Sequence, residues 1–235
     1  MSIFIAIILM SWAAGITAFA GGLLATFEGS AESQTKDELI HAVVAFGGGA
    51  LLAAVAFALA PHGMEVLSPG VLALAFCAGG LVFCGLDIWL AKRGGSFAQF
   101  LAMLMDFLPE ALSLGAVFSE NKRMGIVLAT FIGLQNLPEG FNAFREMKQA
   151  GAKTKTILWV LFAISFIGPL AALTGHFFLQ NKEELTAIIM TFAAGGIVYL
   201  IFQDIAPQAV MQRHWLPPLG AVLGFLLGML GSVVL

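Results

Sequence analysis

The sequence is poor in charge, in cysteine and in histidine, and each shortage argues against a class of function. Charged residues make up 11% of the 235 residues and the formal net charge is −3, so no basic surface is expected for nucleic acid. Cys77 and Cys84 lie seven residues apart in one apolar segment, about 10 Å along a helix, which is too far for a disulfide. With four histidines and no Cys-x-x-Cys or His-x-x-x-His spacing, a thiolate metal site is not expected.

Hydrophobic residues, in contrast, make up 60% of the chain, more than the core of a soluble domain of this length absorbs. We therefore predict an all-α integral membrane protein, because the apolar runs are too long for the strands of a barrel and lipid admits only helices and closed barrels. Runs of about 20 apolar residues predict eight transmembrane helices in a single domain, residues 1–235. The predicted spans cover residues 3–26, 40–64, 70–91, 98–118, 124–144, 156–180, 185–206 and 215–235.

The distribution of Lys and Arg predicts that both termini lie outside. With the N-terminus outside, eight basic residues fall on inner loops and three on outer loops, which is the asymmetry of the positive-inside rule. Half of the inner set lies in residues 145–155. Membrane lipid is then a necessary partner, and a homodimer is compatible with the sequence.

Two pairs of predicted spans repeat each other. Residues 106–110 (Asp-Phe-Leu-Pro-Glu) in span four resemble residues 135–139 (Gln-Asn-Leu-Pro-Glu) in span five, 29 residues later. Span two contains Phe-Gly-Gly-Gly at residues 46–49, and span seven contains Phe-Ala-Ala-Gly-Gly at residues 192–196. Each pair is antiparallel in the predicted topology. We therefore predict an inverted repeat of helices 1–3 and 6–8 around a central helix 4/5 pair, a common plan of secondary transporters.

Spans four and five each carry polar side chains on one helical face, because positions i, i+4 and i+7 share a face. The residues with this spacing are Asp106, Glu110 and Ser113 on span four and Gln135, Glu139 and Asn142 on span five. Each proline also frees the carbonyl oxygen four residues earlier. Such an oxygen-rich set suits a divalent cation such as Mn²⁺, Fe²⁺ or Zn²⁺. The predicted metal ligands are Asp106, Glu110, Gln135, Asn136 and Glu139.

Three other interpretations of the buried carboxylates stay open. Glu110 and Glu139 could be protonated and hold the two helices together by hydrogen bonds, or they could serve a proton relay. An intramembrane metal-dependent hydrolase would also need buried carboxylates, together with an activated water and usually a His or Glu base. Neither polar face contains a histidine, so we do not expect an enzyme.

The two Pro-Glu phrases resemble the metal-binding helices of the ZIP (Zrt/Irt-like) divalent metal transporters, whose related members carry His-Asn-x-Pro-Glu-Gly on both helices. Residues 135–140 (Gln-Asn-Leu-Pro-Glu-Gly) match this pattern closely, and residues 108–111 (Leu-Pro-Glu-Ala) match its end. The resemblance identifies the chain as a divergent bacterial-type member, which implies a bacterial inner membrane. It implies import of zinc, iron or manganese into the cytoplasm by alternating access, with the metal as cargo and no resident cofactor.

The chain departs from the family pattern at two positions. Phe107 stands where the family has an asparagine, and Gly168 stands where many members have a glutamate on span six. Neither residue can bind a metal through its side chain. We therefore expect one oxygen-rich site where related members can hold two ions. These losses also leave open a protein that senses metal without transporting it.

Four further polar residues are candidates for the path of the ion. His62 and Glu65 lie at the outer end of span two and either form an entrance or are solvated interface residues. Asp87 and Asp204 lie near the inner ends of spans three and seven, where similar family positions carry acidic exit residues. Ion pairing of Asp87 with the basic residues that follow it is the plainer interpretation.

Overall fold

The computed structural model describes residues 2–27, 33–93, 98–212 and 214–234, without the side chains of residues 93, 98–102, 106, 119 and 120. These described ranges contain helices and no strand. We number eight helices in chain order, counting helices that follow one another with little or no break as one. They are α1 (Ile3–Thr26), α2 (Gln34–Val66), α3 (Pro69–Arg93), α4 (Ala98–Glu120), α5 (Lys122–Gln149), α6 (Thr154–Leu179), α7 (Glu183–Ala209) and α8 (Leu216–Val234).

Helices α2 and α7 share an irregularity at corresponding places. Each contains a five-residue π-helical turn, Val55–Leu59 in α2 and Ile201–Ile205 in α7. Each turn is followed directly by Ala-Pro. Because Pro61 and Pro207 have no backbone N–H to donate, the wider turn accommodates the missing bond. The irregular backbone of both helices therefore follows from the local sequence.

Helix α6 is also interrupted. Its α-helical parts are Thr154–Ile164 and Ile167–Leu179, separated by a turn at Ser165 and Phe166. Pro169 follows, and its missing N–H leaves the carbonyl of Ser165 without a helical donor. The break thus lies where a proline weakens the helix.

Contacts at both ends of the bundle show that α2 and α8 begin at the same end and that α5 begins at the opposite end. At one end, Gln34 Nε2 at the start of α2 lies 3.1 Å from His214 Nε2, just before α8, and Glu38 Oε1 lies 3.4 Å from His214 Nδ1. At the other end, Arg123 Nη2 at the start of α5 donates to the carbonyl of Val233 on α8 over 3.4 Å. The first end, which we call the basic end, carries Lys36, Arg145, Lys148, Lys153 and Lys155.

Four pairs of helices cross with backbone against backbone. Helix α2 crosses α8 at Gly49 and α7 crosses α3 at Gly195, where an added Cβ would overlap a carbonyl oxygen of the facing helix. Helix α5 crosses α1 at Gly140, and α4 crosses α6 at Gly115, in the same way. Close crossings at small residues are the usual packing of helices in membranes.

Six helices in the described ranges have the length and apolar composition to cross a membrane: α1, α2, α3, α6, α7 and α8. Helices α4 and α5, which contain the repeated phrases, do not meet that standard, and α5 carries Gln135, Asn136 and Glu139 in mid-helix. The chain is therefore an all-helical, multi-pass membrane protein.

Candidate metal site

The polar faces of α4 and α5 meet at Glu110 and Gln135. Gln135 Nε2 donates a hydrogen bond of 2.6 Å to Glu110 Oε2, and both side chains are 0% exposed. The bond orients one carboxylate oxygen of Glu110 and fixes which end of the Gln135 amide faces it.

The other end of the Gln135 amide is available to a ligand. Its Oε1 atom is buried and has no hydrogen-bond partner among the described residues. Burying an amide oxygen without a partner costs about 1–3 kcal/mol, and such atoms in folded proteins usually have a partner. A bound cation would satisfy this oxygen beside a carboxylate.

Glu139 lies one turn further along α5, and both of its carboxylate oxygens are buried. It lines a cavity of about 60 Å³ that lies between α2, α4, α5 and α7. Met103 on α4, Pro138 on α5 and Asp204 on α7 also line this cavity. The space is sufficient for an ion or a few water molecules, and Glu139 is one of the residues that line it.

The two remaining predicted ligands have different surroundings. Asp106 lies on α4 one turn before Glu110, and its side chain is outside the part of the chain that the structure describes. Asn136 is 2% exposed, and its Nδ2 donates to the carbonyl of Ala14 on α1 over 3.1 Å. The amide group of Asn136 is thus held on the α1 side of α5, at the flank of the Glu110–Gln135 contact.

Two prolines and a glycine position the polar faces. Pro109 and Pro138 lie inside α4 and α5, and Ser113 Oγ donates to the Pro109 carbonyl over 2.8 Å. Gly47 on α2 leaves room for Pro138, because a Cβ there would lie 2.8 Å from Pro138 Cγ. The glycine-rich sequence of α2 therefore lets the proline turn of α5 approach the centre of the bundle.

An aromatic ring fills the space beside the site. Phe107 is buried on α4, and a Cβ at Gly168 of α6 would lie 2.8 Å from its Cζ atom. A Cβ at Gly15 of α1 would lie 3.1 Å from the same atom. The ring therefore takes up the space between α1, α4 and α6, and these three residues offer no side-chain oxygen there.

The predicted entrance residues lie at the end of α2, opposite the basic end. Glu65 is exposed, whereas His62 is half-buried with Nε2 buried and without a partner among the described residues. The next residue, Gly63, lies against Thr191 of α7. Glu65 is thus open to solvent, and His62 points into the protein.

The predicted exit residues are placed differently from each other. Asp204 lines the cavity that holds Glu139. Asp87 instead accepts a hydrogen bond of 2.9 Å from the hydroxyl of Tyr199 on α7. Asp204 therefore lines the same cavity as the predicted ligand Glu139. Asp87 is instead joined to α7 through Tyr199, the only tyrosine of the chain.

Sequence reasoning did not select every polar residue near the site. Gln208 on α7 lines the Glu139 cavity, and Asn142 donates to its Oε1 atom. Tyr199 and Gln208 belong to no repeated phrase, so no signal in the sequence pointed to them. Among the side chains that the structure describes, no three or more His, Cys, Asp or Glu residues are grouped as for a metal ion. The candidate donor set instead combines carboxylates with the amide oxygen of Gln135.

Comparisons with known proteins point to one family. Residues 93–235 match the family model described as ZIP Zinc transporter. Zinc transporter ZIPB of Bordetella bronchiseptica is 26% identical over 227 residues, which cover 86% of this chain and 72% of that protein. Human zinc transporter ZIP11 is 30% identical over 155 residues, 60% of this chain and 45% of the human protein.

A third relative is zinc transporter GufA of Myxococcus xanthus, 28% identical over 110 residues, 46% of this chain and 43% of that protein. The chain spans less than half the length of the human and Myxococcus relatives. The family model nevertheless covers more than half of this chain and includes both Pro-Glu phrases. The protein therefore belongs to the ZIP zinc transporter family.

Proposed function

We propose that this protein transports a divalent metal cation across the membrane through a site between α4 and α5. The observation that carries the proposal is the buried contact of Gln135 with Glu110, which leaves Gln135 Oε1 without a partner among the described residues. Glu139 adds two buried carboxylate oxygens one turn away. The relatives named as zinc transporters make zinc the first candidate, and the oxygen-rich donor set also suits iron or manganese.

The ligand set comprises Asp106, Glu110, Gln135, Asn136 and Glu139. Two or three carboxylates balance the charge of a divalent ion at a depth where an uncompensated charge is costly. Neutral amide oxygens complete the coordination without adding charge. Moderate affinity follows from oxygen ligands, and it suits a transporter because the ion must leave.

The proposed ion count is one. The Phe107 ring packs against Gly168 and Gly15 in the space next to Glu110. A second ion beside the first would need side-chain oxygens in that space, and Phe107, Gly168 and Gly15 supply none. The site is thus a single, oxygen-rich one.

The proposed architecture has eight transmembrane helices arranged as an inverted repeat. In it, α1, α2 and α3 correspond to α6, α7 and α8, and α4 corresponds to α5. The crossing of α2 with α8 at Gly49 then has its counterpart in α7 with α3 at Gly195, and both α2 and α7 carry a π turn before Ala-Pro. The crossing of α1 with α5 has its counterpart in α6 with α4. These matched contacts support the repeat.

The proposed direction is import into the cytoplasm by alternating access. The basic end would lie inside, as the positive-inside rule requires, and both termini outside. The two outer groups of helices, α1–α3 and α6–α8, would move relative to α4 and α5 to expose the site to each side in turn. His62 and Glu65 would then lie at the entrance.

A metal-dependent hydrolase is the less favoured alternative. It would need an open metal position with an activated water and a base, and Glu110 is instead held by Gln135 in a fully buried contact. A metal sensor without flux would share the same site, so transport itself must be measured.

The test is zinc uptake by the purified protein in proteoliposomes. We expect uptake by the unmutated protein and at least a tenfold loss in Glu110→Gln and in Glu139→Gln, because each change removes a charged ligand and keeps the side-chain volume. Glu184→Gln is the matched control, since Glu184 is exposed at the start of α7, and it should keep normal uptake. Normal uptake in both site variants would contradict the proposal, and metal binding without uptake would favour the sensor.

A further inference from the structure

Three polar side chains of α5 and α7 form a hydrogen-bonded cluster beyond Glu139. Asn142 Nδ2 donates to Gln208 Oε1 over 2.8 Å and to Glu146 Oε1 over 3.0 Å. Gln208 Nε2 donates to the same Glu146 oxygen over 3.4 Å. We call Asn142, Glu146 and Gln208 the polar triad. None of them belongs to the ligand set or to the predicted exit.

The polar triad lies between two cavities. Asn142 and Gln208 line both the cavity of about 60 Å³ that holds Glu139 and a second cavity of about 620 Å³ at the basic end. Glu146 lines only the second cavity, whose edge includes the exposed residue Gln149. The triad therefore lies where the cavity of the candidate site meets a space that reaches the protein surface.

Helix α5 continues the polar face of the site up to this surface. Glu139, Asn142, Glu146 and Gln149 follow one another at intervals of three or four residues, so they share one helical face. With a rise of about 1.5 Å per residue, Glu139 and Gln149 are about 15 Å apart along the helix. An ion leaving Glu139 toward the basic end can thus follow oxygen-bearing side chains all the way.

We propose that the polar triad is the gate through which the ion leaves the Glu139 cavity toward the basic end. The inference rests on the proposed transport function. Gln208 is the member that ties α7 to α5, because the bond between Asn142 and Glu146 lies within α5. Breaking the two bonds of Gln208 would join the two cavities without breaking either helix.

The chemistry of the triad suits a contact that opens and closes better than a permanent structural contact. Hydrogen bonds between amides and a carboxylate contribute modestly to net stability, so the tie can break and form again as α7 moves. When it is open, the oxygens of Asn142, Gln208 and Glu146 are ligands of the kind that divalent cations accept. A purely apolar closure would offer the ion no such ligand.

The gate is tested by the accessibility of a cysteine placed behind it. Ala143 is buried and lines the Glu139 cavity, so Ala143→Cys reports on that space in a background with Cys77→Ala and Cys84→Ala. The protein is placed in lipid nanodiscs, which leave both faces open to solvent, and the rate of reaction with a charged methanethiosulfonate reagent is measured without metal. Gln208→Ala should raise this rate at least fivefold. Gln203→Ala, a change at an exposed glutamine of the same helix, should leave it unchanged.

Equal reaction rates in Gln208→Ala and Gln203→Ala would overturn the gate. If Gln208→Ala does not fold, Gln208→Glu replaces it: that change keeps the side-chain length, loses the donor to Glu146 and sets two carboxylates against each other, so the rate should rise again. An unchanged rate in Gln208→Glu would equally overturn the proposal.

Zinc uptake by the unmutated protein decides the transport function separately. If the unmutated protein takes up zinc but Gln208→Ala does not change the labelling rate, only the gate proposal is contradicted. If Gln208→Ala labels faster but the unmutated protein shows no uptake, only the transport proposal is contradicted.

Discussion

The ring of Phe107 on α4 fills the space that the missing side chain of Gly168 leaves on α6. A Cβ at Gly168 would lie 2.8 Å from Phe107 Cζ and 2.9 Å from the carbonyl oxygen of Ser11 on α1. The departures from the family pattern at these two positions are thus complementary in shape. One large apolar residue and one residue without a side chain together close the region beside Glu110.

The first prediction concerns the number of ions bound. Because the region next to Glu110 is filled by Phe107, isothermal titration of the purified protein with Zn²⁺ should give one ion per chain. Glu139→Gln should remove that binding, since it deletes a charged ligand. A stoichiometry of two for the unmutated protein would contradict the single site.

The second prediction concerns Gln135. Replacing it in Gln135→Leu removes both the hydrogen bond to Glu110 and the buried Oε1 atom, so zinc affinity should fall about 10–100-fold, the usual cost of losing a group that orients a metal ligand. Competition with a fluorescent zinc chelator measures the Kd. Gln203→Leu is the matched control at an exposed position, and an equal affinity in the two variants would remove Gln135 from the site.

The third prediction concerns the contact of α5 with α1. A Cβ at Gly140 would overlap the carbonyl oxygen of Ala18, whereas a Cβ at Gly133 would meet Ala14 and Thr17 at an ordinary 3.7 Å. Gly140→Ala should therefore destabilise the protein by about 1–3 kcal/mol, as overpacking does, and lower the midpoint of thermal unfolding in detergent. Gly133→Ala, on the same helix and facing the same neighbour, should leave the midpoint nearly unchanged. A similar midpoint for both variants would show that α1 and α5 do not cross this closely.

The fourth prediction separates the two predicted exit residues. Asp204 lines the Glu139 cavity, and Asp87 is joined to Tyr199. Asp204→Asn should slow zinc uptake several-fold, because it removes a negative charge that the ion meets next. Asp87→Asn should have a smaller effect. Initial rates in proteoliposomes provide the comparison, and a larger effect of Asp87→Asn would place the path along α3 instead.

Hydropathy predicted the apolar part of each helix and missed its polar extensions. The first predicted span, residues 3–26, coincides with Ile3–Thr26. Helix α2 begins six residues before its predicted span, at Gln34, where Ser33 Oγ accepts the backbone N–H of Lys36. Helix α5 continues to Gln149, five residues past its span. Polar residues continue a helix outside the lipid because backbone hydrogen bonds, rather than hydropathy, hold it there.

Periodicity predicted which residues of α4 and α5 share a face, because the helical repeat is a property of the backbone. It could not predict which partner each side chain meets. Asn136 bonds to Ala14 of α1, and Gln208 reaches Asn142 from α7. These contacts depend on how far each helix is shifted and rotated against its neighbour, and that is decided by the packing of small residues at the crossings.

The sequence by itself determined that this protein is helical, lies in a membrane and carries paired carboxylates beside prolines, because lipid forces backbone bonds into helices and the helical repeat aligns polar residues. Only the tertiary structure decided that Gln135 holds Glu110, that Phe107 fills the space at Gly168 and that a polar triad lies between Glu139 and the basic end. Each of these contacts joins residues of different helices. Their geometry follows from close packing of several surfaces at once, which no single stretch of sequence contains.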